Sequence, residues 1–251
     1  MLNPIKLFLA AVAFLTRFPV PRWAHPDERT LGASMSLFPA VGALLGGVNA
    51  AAAYALLPLA PRDVTATALV ALPVVMTGAL HYDGLADTVD ALGGGFTRER
   101  RLAIMKDPHI GTYGVIALVA LLLLQFSVFR SARAEDLYCA LIVAPTLART
   151  PGVILAYFCP YARPEGGKGK AFVENLRPPH VLVAVVIAVG VSWTCVGGAR
   201  ASAALALTAA ICAVAGAYFR RQLGGVTGDA LGATSQTCEA AILLMLCWRV
   251  G

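Results

Sequence analysis

"AVGALLGGVNAAAAYA" (residues 40–55) carries no charge and, apart from Asn49 and Tyr54, consists of small or aliphatic side chains. A helix of this composition has no polar face to turn towards water, which marks it as a buried or membrane-embedded element. Extended over 32–58, the run exceeds the roughly 20 residues that cross a bilayer. Comparable apolar runs lie at 64–81, 110–129, 137–158, 181–198, 202–219 and 230–248. The whole composition agrees: 58% of the 251 residues are hydrophobic and 14% charged, with a mean hydropathy of +0.72, outside the usual range of soluble domains. The expectation is an all-α, polytopic transmembrane helical bundle of about seven spans, forming one integral-membrane catalytic domain over residues 1–251. The glycine and alanine in these runs let helices approach closely.

The N-terminal "MLNPIKLFLAAVAFLTRFPVP" has an apolar run but no credible cleavage site, so it reads as a retained helix, interfacial or partly spanning. The six cysteines (139, 159, 195, 212, 238 and 247) form no C-x-x-C and read as core residues, neither a disulfide framework nor a metal cluster. Arginine and lysine divide unequally between the two sides of the expected spans. Thirteen fall on the side holding Arg17, Arg98, Lys106, Arg163 and Arg221; five fall on the side holding Arg62, Arg130, Arg133, Arg200 and Arg249. The positive-inside rule makes the first side cytoplasmic. Topology and anionic lipid thus account for the net charge of +6, and no nucleic-acid motif is present. The bilayer is the expected partner; homo-oligomerisation is left open.

On the cytoplasmic side, "HYDGLADTVDALGGG" (81–95) carries three aspartates. If the 64–81 helix continues through them, Asp83, Asp87 and Asp90 fall at i, i+4 and i+7, on one stripe. Like charges so spaced repel, and no basic residue stands between His81 and Arg98 to neutralise them. An oxygen-only set suits Mg²⁺ or Mn²⁺, and Mg²⁺ is commonly held by one or two carboxylates together with substrate phosphates. Gly93, Gly94 and Gly95 follow, where backbone can approach a ligand. His81 lies on another face and reads as an interfacial histidine. Lys106, in the turn of "RLAIMKDPHIGTYG", is a candidate phosphate clamp against leaving-group charge, whereas Arg100 and Arg101 read as solvated topology charges. "PEGGKGKAFVEN" (164–175) is a glycine-lysine loop without the spacing of a Walker A motif. "GGVTGDALGATSQT" (224–237) adds Asp229 as a fourth carboxylate. Arg149 and Glu239 fall inside expected spans, where charges usually face a site or each other.

These stretches, with "FLTRFPVP" and "LFPAVGALLGG", resemble the cobalamin synthase family, the adenosylcobinamide-GDP ribazoletransferases, from about residue 14 to 240. Asp83, Asp87 and Asp90 match that family's D-G-L-A-D-T-x-D element and Asp229 its late G-D. Ala91 stands where the family often has glycine, and Pro108 where it often has serine. The resemblance implies an inner-membrane, Mg²⁺-dependent transferase that joins adenosylcobinamide-GDP to α-ribazole or its 5′-phosphate and releases GMP, late in vitamin B12 biosynthesis. Residue reading and resemblance together set Asp83, Asp87, Asp90 and Lys106 as catalytic candidates and Asp83, Asp87, Asp90 and Asp229 as metal ligands. Asp107, Arg149, Lys168, Thr227, Gly228 and Asp229 are the substrate-binding candidates. Two other readings fit less well. A CDP-alcohol phosphotransferase has Ala-Arg after its Asp-Gly pair and wider aspartate spacing, whereas Ala86 here is followed by Asp87. A cation-coupled transporter would place acids at mid-membrane and show a clear internal repeat, while here the acids sit at span ends.

Overall fold

The computed structural model describes residues 3–25, 27–163, 165 and 168–248. They form helices α1 (Pro4–Leu15), α2 (Glu28–Ser34), α3 (Phe38–Leu56), α4 (Arg62–Thr77), α5 (Leu80–Gly94), α6 (Arg98–Ile104), α7 (Thr112–Ser131), α8 (Ala134–Phe158), α9 (Lys168–Asn175), α10 (Pro178–Val196), α11 (Gly198–Leu223) and α12 (Gly228–Cys247). No strand occurs among the described residues beyond an isolated bridge between Tyr161 and Val226. Six helices are long and apolar enough to cross a membrane: Thr30–Leu56, which runs through α2 and α3, then α7, α8, α10, α11 and α12. A seventh span arises if α4 and α5, bent 91° to one another, count as one. The all-α bundle and its number of spans are as the sequence indicated. At 12 residues and about 1.5 Å per residue, α1 is too short to cross the hydrocarbon core by itself.

α8 is the axis of the bundle, packed by α3, α10, α11 and α12. Small residues set the closest approach. A Cβ on Gly42 would meet the Pro145 carbonyl carbon at 2.8 Å and one on Gly46 the Ile142 Cα at 2.8 Å, so only glycine lets α3 lie against α8 this tightly. The two ends of the bundle carry the two charge sets read from the sequence. At one end Arg62 donates to the Ala132 carbonyl, Arg130 pairs with Asp63, and Arg200 pairs with Asp136 at 3.0 Å. At the other, Arg98 donates to the carbonyls of Leu223 and Ala162, and Arg101 to that of Gln222. Arg249 lies outside the described residues, as do the side chains of Arg29 and Lys168.

One sequence expectation fails here. The helix of 64–81 does not continue through the aspartates. It stops at Thr77, Gly78 and Ala79 take left-handed backbone (φ 62° and 61°), and α5 starts afresh at Leu80. Glycine adopts that conformation freely and alanine at a cost. Arg17 holds the corner: its N–H donates to the Met76 carbonyl at 2.7 Å, and its guanidinium occupies the space beside Gly78 where a side chain would stand. The three aspartates still share one helix, but the bend carries α5 into the bundle. Asp83 is therefore exposed, Asp87 half-buried and Asp90 buried.

Candidate active site

A cavity of about 550 Å³ opens between α1, α5, α8, α9 and α12. α5 brings His81 and Asp83 to its wall, α12 brings Gly228 and Asp229, and the segment after α8 brings Arg163. Two close approaches fix this meeting. Gly84 lies directly on Asp229, where a Cβ would stand 2.9 Å from the Asp229 carbonyl oxygen, and Gly232 faces the His81 backbone. The segments preceding Arg163 and Asp229 are joined to each other: Val226 donates to the Pro160 carbonyl at 2.9 Å and Ala162 to the Val226 carbonyl at 2.9 Å. Arg163 is thereby delivered to Asp229, which accepts its guanidinium N–H at 2.6 Å. Arg163 entered the sequence reading only as one of the topology charges. Nothing local distinguishes it, because its partner lies 66 positions away.

Asp87 stands in the electrostatic field of Asp83, Asp229, Asp90 and Arg163. The cluster therefore holds four carboxylates against one guanidinium. The carboxylates of Asp83 and Asp87 make no hydrogen bond or ion pair among the described residues, which leaves both free for a ligand. Asp90 does not share that freedom. The cap position of α7 is Gly111, which has no side chain to cap with, and Asp90 reaches across to accept the Gly111 N–H at 2.8 Å and the Gly114 N–H at 2.9 Å. Both carboxylate oxygens are thus engaged at the positive end of a helix. Of the four carboxylates expected as metal ligands, Asp90 closes the start of α7 and Asp229 is paired with Arg163. Among the described residues no group of three or more acids, histidines or cysteines is arranged to hold a metal ion. Asp83 and Asp87 are the two carboxylates of that set without such a partner among the described residues. Asp90→Ala should cost about 2 kcal/mol of stability, the scale of a lost cap with a buried donor left unpaired. Thermal unfolding in detergent would read that loss, and a Mg²⁺ titration of the residual turnover should be unchanged. A shifted Mg²⁺ requirement would return Asp90 to the ligand set.

The other candidates divide between the cavity wall and places away from it. Lys106 is absent from the cavity wall; its ammonium lies 2.5 Å from Glu165 with both side chains half-exposed or more, and it holds the Glu165 carboxyl below its usual range. Asp107 accepts the His109 N–H at 3.0 Å and shapes an exposed turn, and that bond keeps its carboxyl below the ordinary range. Thr227 is fully buried and caps α12, accepting the Ala230 N–H at 3.1 Å. Gly228 does face the cavity, with open space where a side chain would point. Arg149 lines the cavity and pairs with Glu239, both of them buried. His81, dismissed as interfacial from the sequence, lines the cavity with an unpartnered Nδ1.

Fold and site together define a polytopic membrane protein with an acidic cavity, bridged by one guanidinium, at the more basic end of its bundle. The chain belongs to the cobalamin-5-phosphate synthase family, which it matches over residues 7–247. It is 39% identical over 240 residues to the adenosylcobinamide-GDP ribazoletransferase of Syntrophobacter fumaroxidans, covering 94% of this chain and 96% of that one. It is 40% identical over 247 residues to that of Pseudomonas aeruginosa (98% and 99%), and 38% identical over 242 residues to that of Geotalea daltonii (96% and 97%). No solved structure matches the chain.

Proposed function

We propose that the protein joins adenosylcobinamide-GDP to α-ribazole, or to its 5′-phosphate, with release of GMP, at the cytoplasmic face of a bacterial inner membrane. Relatives named for that transfer align along nearly their whole length. The observation that carries the chemistry is the meeting of Asp83, Asp229 and Arg163 at one cavity, with Asp87 in their electrostatic field. In the transfer, a ribose hydroxyl oxygen bonds to the phosphorus that bears cobinamide, the bond from that phosphorus to the GMP oxygen breaks, and GMP departs as an anion. The hydroxyl proton passes to a carboxylate of the cluster. Arg163, fixed by Asp229, faces the charge that grows on the leaving phosphate.

The donor set fits Mg²⁺: two unpaired, oxygen-only carboxylates one helical turn apart, with remaining positions free for substrate phosphate and water. Held by Asp83 and Asp87, the ion would offset pyrophosphate charge. The reading is tested on protein purified in detergent with adenosylcobinamide-GDP, α-ribazole and Mg²⁺. GMP and cobalamin should appear in equal amounts, and neither should form without Mg²⁺. Absence of GMP, or release of CMP from a CDP-alcohol instead, would overturn it.

The phosphate clamp falls to Arg163 and not to Lys106. Arg163→Ala removes a guanidinium at the cavity and should lower kcat about a hundredfold, the scale of one lost electrostatic stabiliser. Lys106→Ala removes half of an exposed, solvent-screened ion pair and should stay within about threefold. Steady-state kinetics on the two variants decides it; the reverse order would return the clamp to Lys106.

A further inference from the structure

The cavity lining holds two chemically different groups of side chains. One is Asp83, Arg163 and Asp229. The other is aromatic: Phe14 from α1, Phe38 from α3 and Phe172 from α9, with Met35 and Ala13 also in the lining. Phe14 and Phe38 are stacked with centroids 5.8 Å apart, and Phe172 meets both edge-on at 4.7 and 6.0 Å. Phe38 and Phe172 are buried at 6% and 4% exposure, while Phe14 keeps a partly open face. Three helices distant in sequence thus contribute rings to one side of a hollow. The same rings belong to a buried apolar cluster, and the cavity meets that cluster at Phe14, Phe38 and Phe172.

Two arguments narrow what this wall can take. The first is size. A cavity of about 550 Å³ is in the range that encloses one drug-sized molecule. It can enclose a nucleoside but not a corrinoid with its amide side chains, whose bulk must stay outside. The second is polarity. Ala13, Phe14, Met35, Phe38 and Phe172 offer no side-chain hydrogen bond, so guanine, with donors and acceptors around its edge, would be desolvated there without compensation. A flat base with little polar edge would not. Resting on the function proposed above, we propose that the wall formed by Phe14, Phe38, Phe172 and Met35 is the subsite for the benzimidazole base of α-ribazole, with its ribose directed to the Asp83 end. Recognition there is by stacking and apolar burial, and guanine is excluded from it.

The test separates the two substrates. Phe14→Leu and Phe172→Leu keep an apolar side chain but lose the ring. Each should raise KM for α-ribazole about tenfold, within the range measured for a lost base–aromatic stack. KM for adenosylcobinamide-GDP and kcat should stay within about threefold. On the unaltered protein, 5,6-dimethylbenzimidazole should compete with α-ribazole and guanosine should not, which needs no variant to fold. Equal rises in both KM values, a rise for adenosylcobinamide-GDP alone, no rise at all, or competition by guanosine would each overturn the subsite. If the unaltered protein makes no GMP, the function proposed above falls. Calorimetric titration of 5,6-dimethylbenzimidazole into the unaltered and Phe14→Leu proteins then tests the subsite by itself, and equal binding or none would overturn it.

Discussion

Asp83→Asn is expected to lower turnover by at least about a hundredfold, the loss seen when one principal electrostatic stabiliser is removed from a reacting centre. Asparagine keeps the shape and removes the charge. Asp83 is exposed on the cavity wall and holds no partner among the described residues, so the substitution breaks no bond that supports the fold. Yield, membrane insertion and thermal stability should match the unaltered protein. Asp87→Asn should behave alike, because it removes the second of the two free carboxylates. The contrast with Asp90 is the informative part: on one stripe of one helix, losing Asp83 or Asp87 should cost activity and losing the buried Asp90 stability. Near-normal turnover of Asp83→Asn at saturating Mg²⁺ would show that the cluster is structural.

Arg149→Met should produce the largest loss of stability, about 3–5 kcal/mol, because it strands the Glu239 carboxylate in the interior of the bundle. Arg149 and Glu239 are 5% and 7% exposed, so little water reaches the stranded carboxylate. Detergent-purified variant should unfold at markedly lower temperature and in poorer yield. Adding Glu239→Gln to Arg149→Met removes the stranded charge, and most of the stability should return. Turnover of the double variant then assigns Arg149. Recovery together with stability would make the pair a structural tie between α8 and α12, whereas stable but inactive protein would give Arg149 a contact with substrate through the cavity it lines. A single Arg149→Met variant as stable as the parent would mean that the pair is not held in the folded protein.

Fold class, the number of spans and the division of basic residues between two ends were determined by the sequence alone, and the reason is local. Whether a stretch can lie in lipid depends on its own side chains and length, as in residues 112–131, and charge placement depends only on counting between such stretches. The aspartate element was legible for the same reason, since i, i+4, i+7 spacing survives wherever the helix points. Only the tertiary structure separated the members of that element. A two-residue corner at Gly78 and Ala79, set against Arg17, turned α5 into the bundle. Asp83 was thereby left free while Asp90 was spent on the N-terminus of α7. Arg163 became the cationic partner, and Lys106 did not, for a reason no spacing rule contains: the segments before Arg163 and Asp229 are hydrogen-bonded to each other across 64 positions of chain. The aromatic wall follows the same logic, because Phe14, Phe38 and Phe172 are unremarkable apolar residues until α1, α3 and α9 pack around one hollow. Side-chain chemistry and local periodicity are written along the chain, but which groups face each other is decided by long-range packing, and a catalytic cavity consists of such meetings.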